Sequence, residues 1–161
     1  PRTKLWQGML RKFYRESARE LRTILRDSTR IVFHDAFTPR LMRSALRHET
    51  LDIHWYHFAF WAHAWAPLRM YWRLVASHGR LLRRIARRQG VVVGEWSGSF
   101  AQALFDRYPV SEHPRLVREH IEHQLHAYEY ADAWFYWTYK TEARGVWHFR
   151  SLVEDGDIYF L

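Results

Sequence analysis

Hydrophobic and polar positions along the chain follow two different periods. Near the amino end, Leu5, Met9, Phe13 and Leu21 recur close to helical spacing with Arg and Glu between them, which predicts an amphipathic helix over residues 5–26. Similar patterns predict helices over residues 39–47, 67–89 and 113–129. Short apolar or alternating runs predict strands over residues 30–33, 51–55, 91–93 and 133–137.

The order of these elements predicts an α/β fold with a parallel sheet. A first helix is followed by three strand–helix units and a final strand, and such alternation favours parallel strands joined by crossover helices. The functional groups of parallel βα units collect where the strands end. In this sequence, side chains that can hydrogen-bond or stack follow every strand: His34 and Asp35, His54 and Tyr56, Glu95 and Trp96, and Trp137.

The length and the element count indicate one partial domain. The 161 residues contain no low-complexity linker, and four βα units are half of an eight-unit barrel. A four-stranded piece exposes two strand edges and an apolar sheet face, and both features favour association. We therefore expect residues 1–161 to be either a fragment of a barrel or one half of an assembled barrel.

The charge balance is strongly basic. Lys and Arg number 25 against 17 Asp and Glu, which gives a formal net charge of +8, and nearly all of the positive charge is arginine. Such a balance indicates either a polyanionic partner or a composition bias. The absence of cysteine excludes disulfides and cysteine-based zinc sites. Since no run of about 18 apolar residues occurs, we expect no membrane span.

Motifs at the predicted strand ends occur in an informative order. They are HDAF (34–37), HWY (54–56), VVVGEWS (91–97) and WFYWTYKTE (134–142), with QLHAYEY (124–130) before the last strand and Trp147-His148-Phe149 after it. Together they resemble the glycoside hydrolases of family 5, and most closely the exo-β-1,3-glucanase branch. The resemblance implies a (β/α)₈ TIM barrel, of which this chain matches the C-terminal half, strands five to eight. It also implies a β-glucan or oligosaccharide substrate, no cofactor, and an extracellular or cell-envelope location.

The resemblance assigns roles to the strand-end residues. Glu95 matches the catalytic nucleophile of a retaining mechanism, Tyr56 a tyrosine that hydrogen-bonds the nucleophile, and His54 a histidine that binds substrate. Trp137 matches the tryptophan that lies under the reacting sugar. Judged from its strand alone, Glu95 is better explained as a strand-capping group or as the partner of an arginine. The other three strand exits favour the nucleophile.

Further residues are expected to support such a site. Trp96 is a candidate substrate contact that could instead reach the core. Asp35 matches a carboxylate behind the site. Lys140 and Glu142 match the KTE motif of the family, and we expect them to form a salt bridge or polar network at the edge of the site.

The sequence departs from the family pattern in two ways. The branch usually carries a phenylalanine where this chain has Ala59, which stands between Phe58 and Phe60, and this change puts linkage specificity in doubt. A retaining enzyme also needs a second carboxylic acid, which the family takes from an Asn-Glu-Pro motif, and this chain contains no Asn. We expect the acid/base and the first half-barrel to come from the same or another chain. Alone, residues 1–161 should be a very poor catalyst.

The histidines suggest a metal site as an alternative. One group contains His48, His54, His57 and His63, and another contains His113, His120, His123 and His126. There is no HExxH motif and no carboxylate set at ligand spacing, so we expect no metal.

Two binding functions are further alternatives. The segment GRLLRRIARRQG (79–90) places five arginines on one stripe of a helix, as in a nucleic-acid binder. The solvated face of an outer barrel helix is the favoured explanation of the stripe, and we expect no nucleic-acid partner. The aromatic share is 17% with nine Trp, and it suggests a non-catalytic carbohydrate-binding half-barrel. The contacts would come from Trp55, Phe58, Phe60, Trp61 and Trp65.

Overall fold

The computed structural model describes residues 2–46, 48–57, 67–99 and 101–158, which form alternating helices and strands. The helices are α1 (Arg2–Ile24), α2 (Pro39–Met42), α3 (Leu68–Ala86), α4 (Gln102–Phe105), α5 (His113–Tyr128) and α6 (Phe149–Glu154). The strands are β1 (Val32–His34), β2 (Thr50–His54), β3 (Val91–Trp96) and β4 (Ala133–Tyr136). A short 3-10 turn, Val110–Glu112, precedes α5.

The four strands form one parallel sheet in the order β1-β2-β3-β4. Val32 pairs with Thr50, Leu51 with Val91, and Val92 with Ala133, so each strand neighbours the next along the chain. The predicted α/β fold with parallel strands is therefore confirmed. Such a sheet is compatible with half of a TIM barrel, and the complete barrel stays a prediction.

One face of the sheet carries the hydrophobic core. Leu51, Ile53, Val91 and Val93 are buried, and the apolar sides of α3 and α5 pack against them. The two helices approach closely at Gly79, where an added Cβ would lie 3.0 Å from the Cα of Ala127. A side chain at this position would push the helices apart, so glycine permits the packing.

The opposite face of the sheet is open. Val32, Phe135 and Trp137 are 49%, 58% and 53% exposed on it or at its end. In parallel α/β proteins both faces of the sheet are normally covered, so exposed apolar side chains on an open face are typical of a surface that receives another element.

The sequence pattern missed the short helices. α4 and α6 contain four and six residues, too few for a helical period to show. The helix predicted over 39–47 ends at Met42, so α2 is shorter than expected. Within the described ranges, no helix is both long and apolar enough to cross a bilayer.

Candidate active site

A bulge in β3 places Glu95 on the open face of the sheet. Val92 pairs with Asp52 and Val93 with Ile53, but His54 then pairs with Glu95, and Gly94 is the extra residue. Residues along a regular strand alternate between faces, so without the bulge Glu95 would share the buried face of Val93. The extra residue turns the carboxylate towards the open face at the carboxyl end of the strand.

Glu95 accepts a hydrogen bond from Tyr56, which follows β2. The hydroxyl of Tyr56 lies 2.7 Å from Oε2 of Glu95, a short distance that is typical of a hydrogen bond to a charged acceptor. Burial and this hydrogen bond raise the pKa of Tyr56 above its usual value. The phenol therefore keeps its proton at neutral pH and remains a donor to the carboxylate.

His54 lies between two carboxylates. Its Nδ1 is 3.4 Å from Oε2 of Glu95, and its Nε2 is 3.0 Å from Oδ2 of Asp52. An ionised carboxylate only accepts hydrogen bonds, so Nε2 carries a proton in the contact with Asp52. This contact fixes the ring orientation and keeps Nδ1 directed at Glu95.

Gly94 makes room for Asp52. A Cβ at position 94 would lie 2.0 Å from Oδ1 of Asp52, far inside van der Waals contact. The residue that forms the bulge therefore also permits the Asp52–His54 hydrogen bond.

A tight turn after β1 completes this side of the site. Ala36 and Phe37 have φ values of 51° and 55°, which non-glycine residues rarely adopt. The turn is held by Nδ1 of His34, which accepts from the Ala36 N–H at 3.1 Å, and by Oδ1 of Asp35, which accepts from the Phe37 N–H at 3.0 Å. The ring of His34 packs edge-on against that of His54, with centroids 4.3 Å apart. The turn thus supports the His54 ring from the β1 side.

Two side chains of this segment, His34 and Asp35, have shifted pKa values. Burial, aided by the charge of His54, lowers the pKa of His34, so this ring is neutral at neutral pH. The side chain of Asp35 is fully buried, and burial raises its pKa to about 6. Asp35 thus holds the turn that packs against His54.

Aromatic residues line the β4 side of the site. Trp137 is half-exposed directly after β4, and its backbone N–H donates to the backbone carbonyl of Trp96 at 2.8 Å. The ring of Trp147 contacts that of Tyr56, with centroids 5.8 Å apart. An exposed indole is a typical surface for the C–H face of a sugar.

Trp96 does not join this surface. Its side chain is 0% exposed and packs edge-on against Tyr128, Trp134 and Tyr136 in the core. The bulge that turns Glu95 to the open face returns Trp96 to the buried face, so we leave Trp96 out of the site.

The expected ion pair at the edge of the site does not form. Lys140 and Glu142 are both exposed in the segment after β4, and the ion pairs of the described residues do not include one between them. Exposed charges are well screened, so little energy holds such a pair together.

Several sequence candidates lie outside the described residues. They are Phe58, Ala59, Phe60, Trp61, His63 and Trp65. Trp55 is described, and it is buried with its ring stacked on His78. Among the described side chains, no group of three His, Asp or Glu is placed to hold a metal ion.

A buried hydrogen-bond network lies behind the site. The amide of Gln124 on α5 donates to the carbonyl of Ser97 at 2.9 Å, and its oxygen is 3.0 Å from Nδ1 of His57 and accepts from Tyr128 at 3.1 Å. His57 follows Tyr56, and Ser97 comes two residues after Glu95. Gln124 therefore ties together the segments that follow β2 and β3, next to Tyr56 and Glu95.

Sequence reasoning missed Asp52 and Gln124 as parts of the site. Asp52 stands two residues before His54 on one strand, and this spacing puts both on one face. The spacing alone could therefore have predicted that Asp52 lies beside His54. The role of Gln124 has no comparable signal, because a helix residue that reaches two loops depends on tertiary packing.

Comparisons with known proteins support a relationship to glycosyl hydrolases of the glucanase type. The glucan 1,3-beta-glucosidase of Yarrowia lipolytica is 32% identical over 112 residues, which are 68% of this chain and 25% of that protein. The protein of the same name from Candida oleophila is 30% identical over 97 residues, 53% of this chain and 23% of its own length. That of Kluyveromyces lactis is 51% identical over 39 residues, or 24% of this chain. No family model matches the chain.

Proposed function

We propose that this chain supplies the nucleophile half of a retaining glycoside hydrolase site that acts on β-glucans with β-1,3-glucosidase-like specificity. The observation that carries the proposal is the hydrogen bond of 2.7 Å from Tyr56 to Glu95 on the open face of the sheet. The names of the similar proteins support the substrate class. Membership of glycoside hydrolase family 5 and a TIM barrel form part of the same proposal.

Glu95 is the nucleophile in this mechanism. Tyr56 and His54 both contact Oε2, which leaves Oε1 to attack the anomeric carbon. The new C–O bond forms as the bond to the leaving-group oxygen breaks, giving a glycosyl ester on Glu95. Water then attacks the same carbon and releases the sugar, so the anomeric configuration is retained. Trp137 packs under the sugar ring, and His54 also contacts its hydroxyl groups.

The acid/base comes from outside these residues. A retaining site needs a second carboxyl about 5–5.5 Å from the nucleophile, and no Asn-Glu-Pro motif is present. Asp52 is hydrogen-bonded to the far side of His54, so it holds the ring and does not face the leaving group. The complementary half-barrel covers the open face, on which Phe135 and Trp137 of this chain are exposed, and it brings the missing carboxyl to Glu95.

A substrate that needs no acid tests this division of the site. 2,4-Dinitrophenolate leaves without protonation, whereas the leaving sugar of laminaribiose requires a proton. We expect the protein to release dinitrophenolate from 2,4-dinitrophenyl β-glucoside, the Glu95→Gln variant to lose this release, and laminaribiose to remain intact. Equal release of dinitrophenolate by Glu95→Gln would show that Glu95 is not the nucleophile. Efficient cleavage of laminaribiose by these 161 residues would contradict the external acid.

Carbohydrate binding without catalysis is the second candidate. The observation that favours it is the 53% exposure of Trp137, which suits sugar stacking whether or not a bond is cleaved. Under this alternative, Trp137→Ala abolishes binding of laminari-oligosaccharides, and the wild-type protein releases no dinitrophenolate above the Glu95→Gln background.

A further inference from the structure

An arginine-lined cavity lies at the end of the sheet opposite to Glu95. It has a volume of about 470 Å³ and lies between the segment after α2 and the carboxyl end of α3. These segments lead into the amino ends of β2 and β3. Val91 and Glu95 are four residue steps apart, roughly 13 Å along the strand. The cavity is therefore separate from the proposed active site.

Positive charge converges on this cavity from both walls. Arg40 and Arg43 come from the α2 side, and Arg84 and Arg88 come from α3 and the turn that follows it. His48 and Gln89 also line the cavity, and no carboxylate does so among the described residues. Within the same residues, none of these four arginines forms an ion pair.

The helix dipole does not account for the arrangement. Cations are favourable at the carboxyl end of α3, but this end carries only roughly half a negative charge. Arg83 and Arg87 lie in the same two turns and do not line the cavity. The dipole also gives no reason for Arg40 and Arg43 to face the same space from another element. Four like charges around one cavity repel each other and are stabilised by an anion.

We propose that this cavity binds a small anion with two phosphate groups, held between the Arg40–Arg43 wall and the Arg84–Arg88 wall. Guanidinium groups pair with phosphate oxygens in a bidentate manner, and two arginines on each wall provide for two phosphates. The volume lies within the range of roughly 300–1,000 Å³ for small-molecule sites, which is more than one phosphate fills. The site is independent of the hydrolase function.

Calorimetric titration of the protein with inorganic pyrophosphate tests the site. We expect saturable binding that is tighter than the binding of orthophosphate. Arg43→Gln and Arg84→Gln, one from each wall, should each weaken the binding roughly tenfold. Arg87→Gln is the matched control, since it removes the same charge beside the cavity, and it should change the affinity less than about twofold. All three side chains lie at the surface or near it, and circular dichroism checks that each variant is folded.

Three results would overturn the proposal. They are the absence of saturable binding, equal affinity for orthophosphate and pyrophosphate, and a loss in Arg87→Gln as large as that in Arg84→Gln. The last result would assign the affinity to the general positive field of the surface. None of these measurements involves a sugar or hydrolysis, so their outcome does not depend on the role of Glu95.

Discussion

Oε2 of Glu95 accepts a hydrogen bond of 2.7 Å from Tyr56, a residue that lies 39 positions earlier in the chain. The pair joins the ends of two neighbouring parallel strands, and the bulge at Gly94 brings it to the open face. The carboxylate is thus held by rigid strand ends on the face that another element is expected to cover.

Removal of the Tyr56 hydroxyl should slow the attack by Glu95. Tyr56→Phe keeps the ring and its contact with Trp147 but leaves Oε2 without this donor, so the carboxylate is less well oriented. We expect dinitrophenolate release from the activated glucoside to fall roughly tenfold, measured under single-turnover conditions. Tyr130→Phe changes an exposed tyrosine before β4 and should leave the rate unchanged. A similar rate in the two variants would show that the hydrogen bond has no role in the reaction.

A methyl group at position 94 should disrupt the contacts of His54. In Gly94→Ala, the Cβ would overlap Asp52 Oδ1 and displace it from His54. We expect a loss of about 1–3 kcal/mol in the free energy of unfolding, measured by urea denaturation. Gly8→Ala is the control, since a Cβ at this position in α1 meets nothing within 4 Å. It should stabilise the protein by up to about 1 kcal/mol, and a stabilising Gly94→Ala would contradict the packing described here.

The stability of the protein should depend on pH through Asp35. Burial raises the pKa of Asp35 from 3.8 to about 6 in the folded state. The folded state therefore prefers the protonated acid, and this contribution is complete below about pH 4 and is lost as the pH rises through about 6. The loss amounts to at most about 3 kcal/mol at neutral pH.

Asp35→Asn removes this titration while its amide oxygen can still accept from the Phe37 N–H. We expect the variant to gain in stability relative to the wild type as the pH rises from about 4 to about 7, measured by urea denaturation at several pH values. A difference in unfolding free energy between the two proteins that stays constant over this range would contradict a buried Asp35 with a raised pKa.

Loss of the Gln124 amide should lower the free energy of unfolding. Gln124→Leu removes the buried hydrogen bonds that Gln124 makes to the Ser97 carbonyl and to Nδ1 of His57, at a cost of about 3 kcal/mol or more. Gln102→Leu removes an exposed amide that bonds Asp106 and should cost less than about 1 kcal/mol. Chemical denaturation compares the two variants, and equal costs would show that the buried network contributes little.

The fold was largely predictable because its long elements have clear periods. The apolar spacing of α1, α3 and α5 and the β-branched run of β3 are local signals, and the strand–helix alternation follows from them. For the site, the sequence predicted which residues stand at the strand ends but not how their side chains are oriented. Simple alternation along Val91–Trp96 puts Glu95 on the face of Val93, and the bulge that reverses this depends on the fit of Gly94 against Asp52. The burial of Trp96 has the same tertiary cause.

The identity of the nucleophile is tested most directly by trapping its glycosyl ester. 2,4-Dinitrophenyl 2-deoxy-2-fluoro-β-glucoside has a leaving group that needs no acid, and its fluorine slows the attack by water so that the ester accumulates. Mass spectrometry of the digested protein should find one fluoroglucosyl group, on Glu95, and none in Glu95→Gln. A label on another carboxylate, or the absence of any label on the folded wild-type protein, would contradict the account.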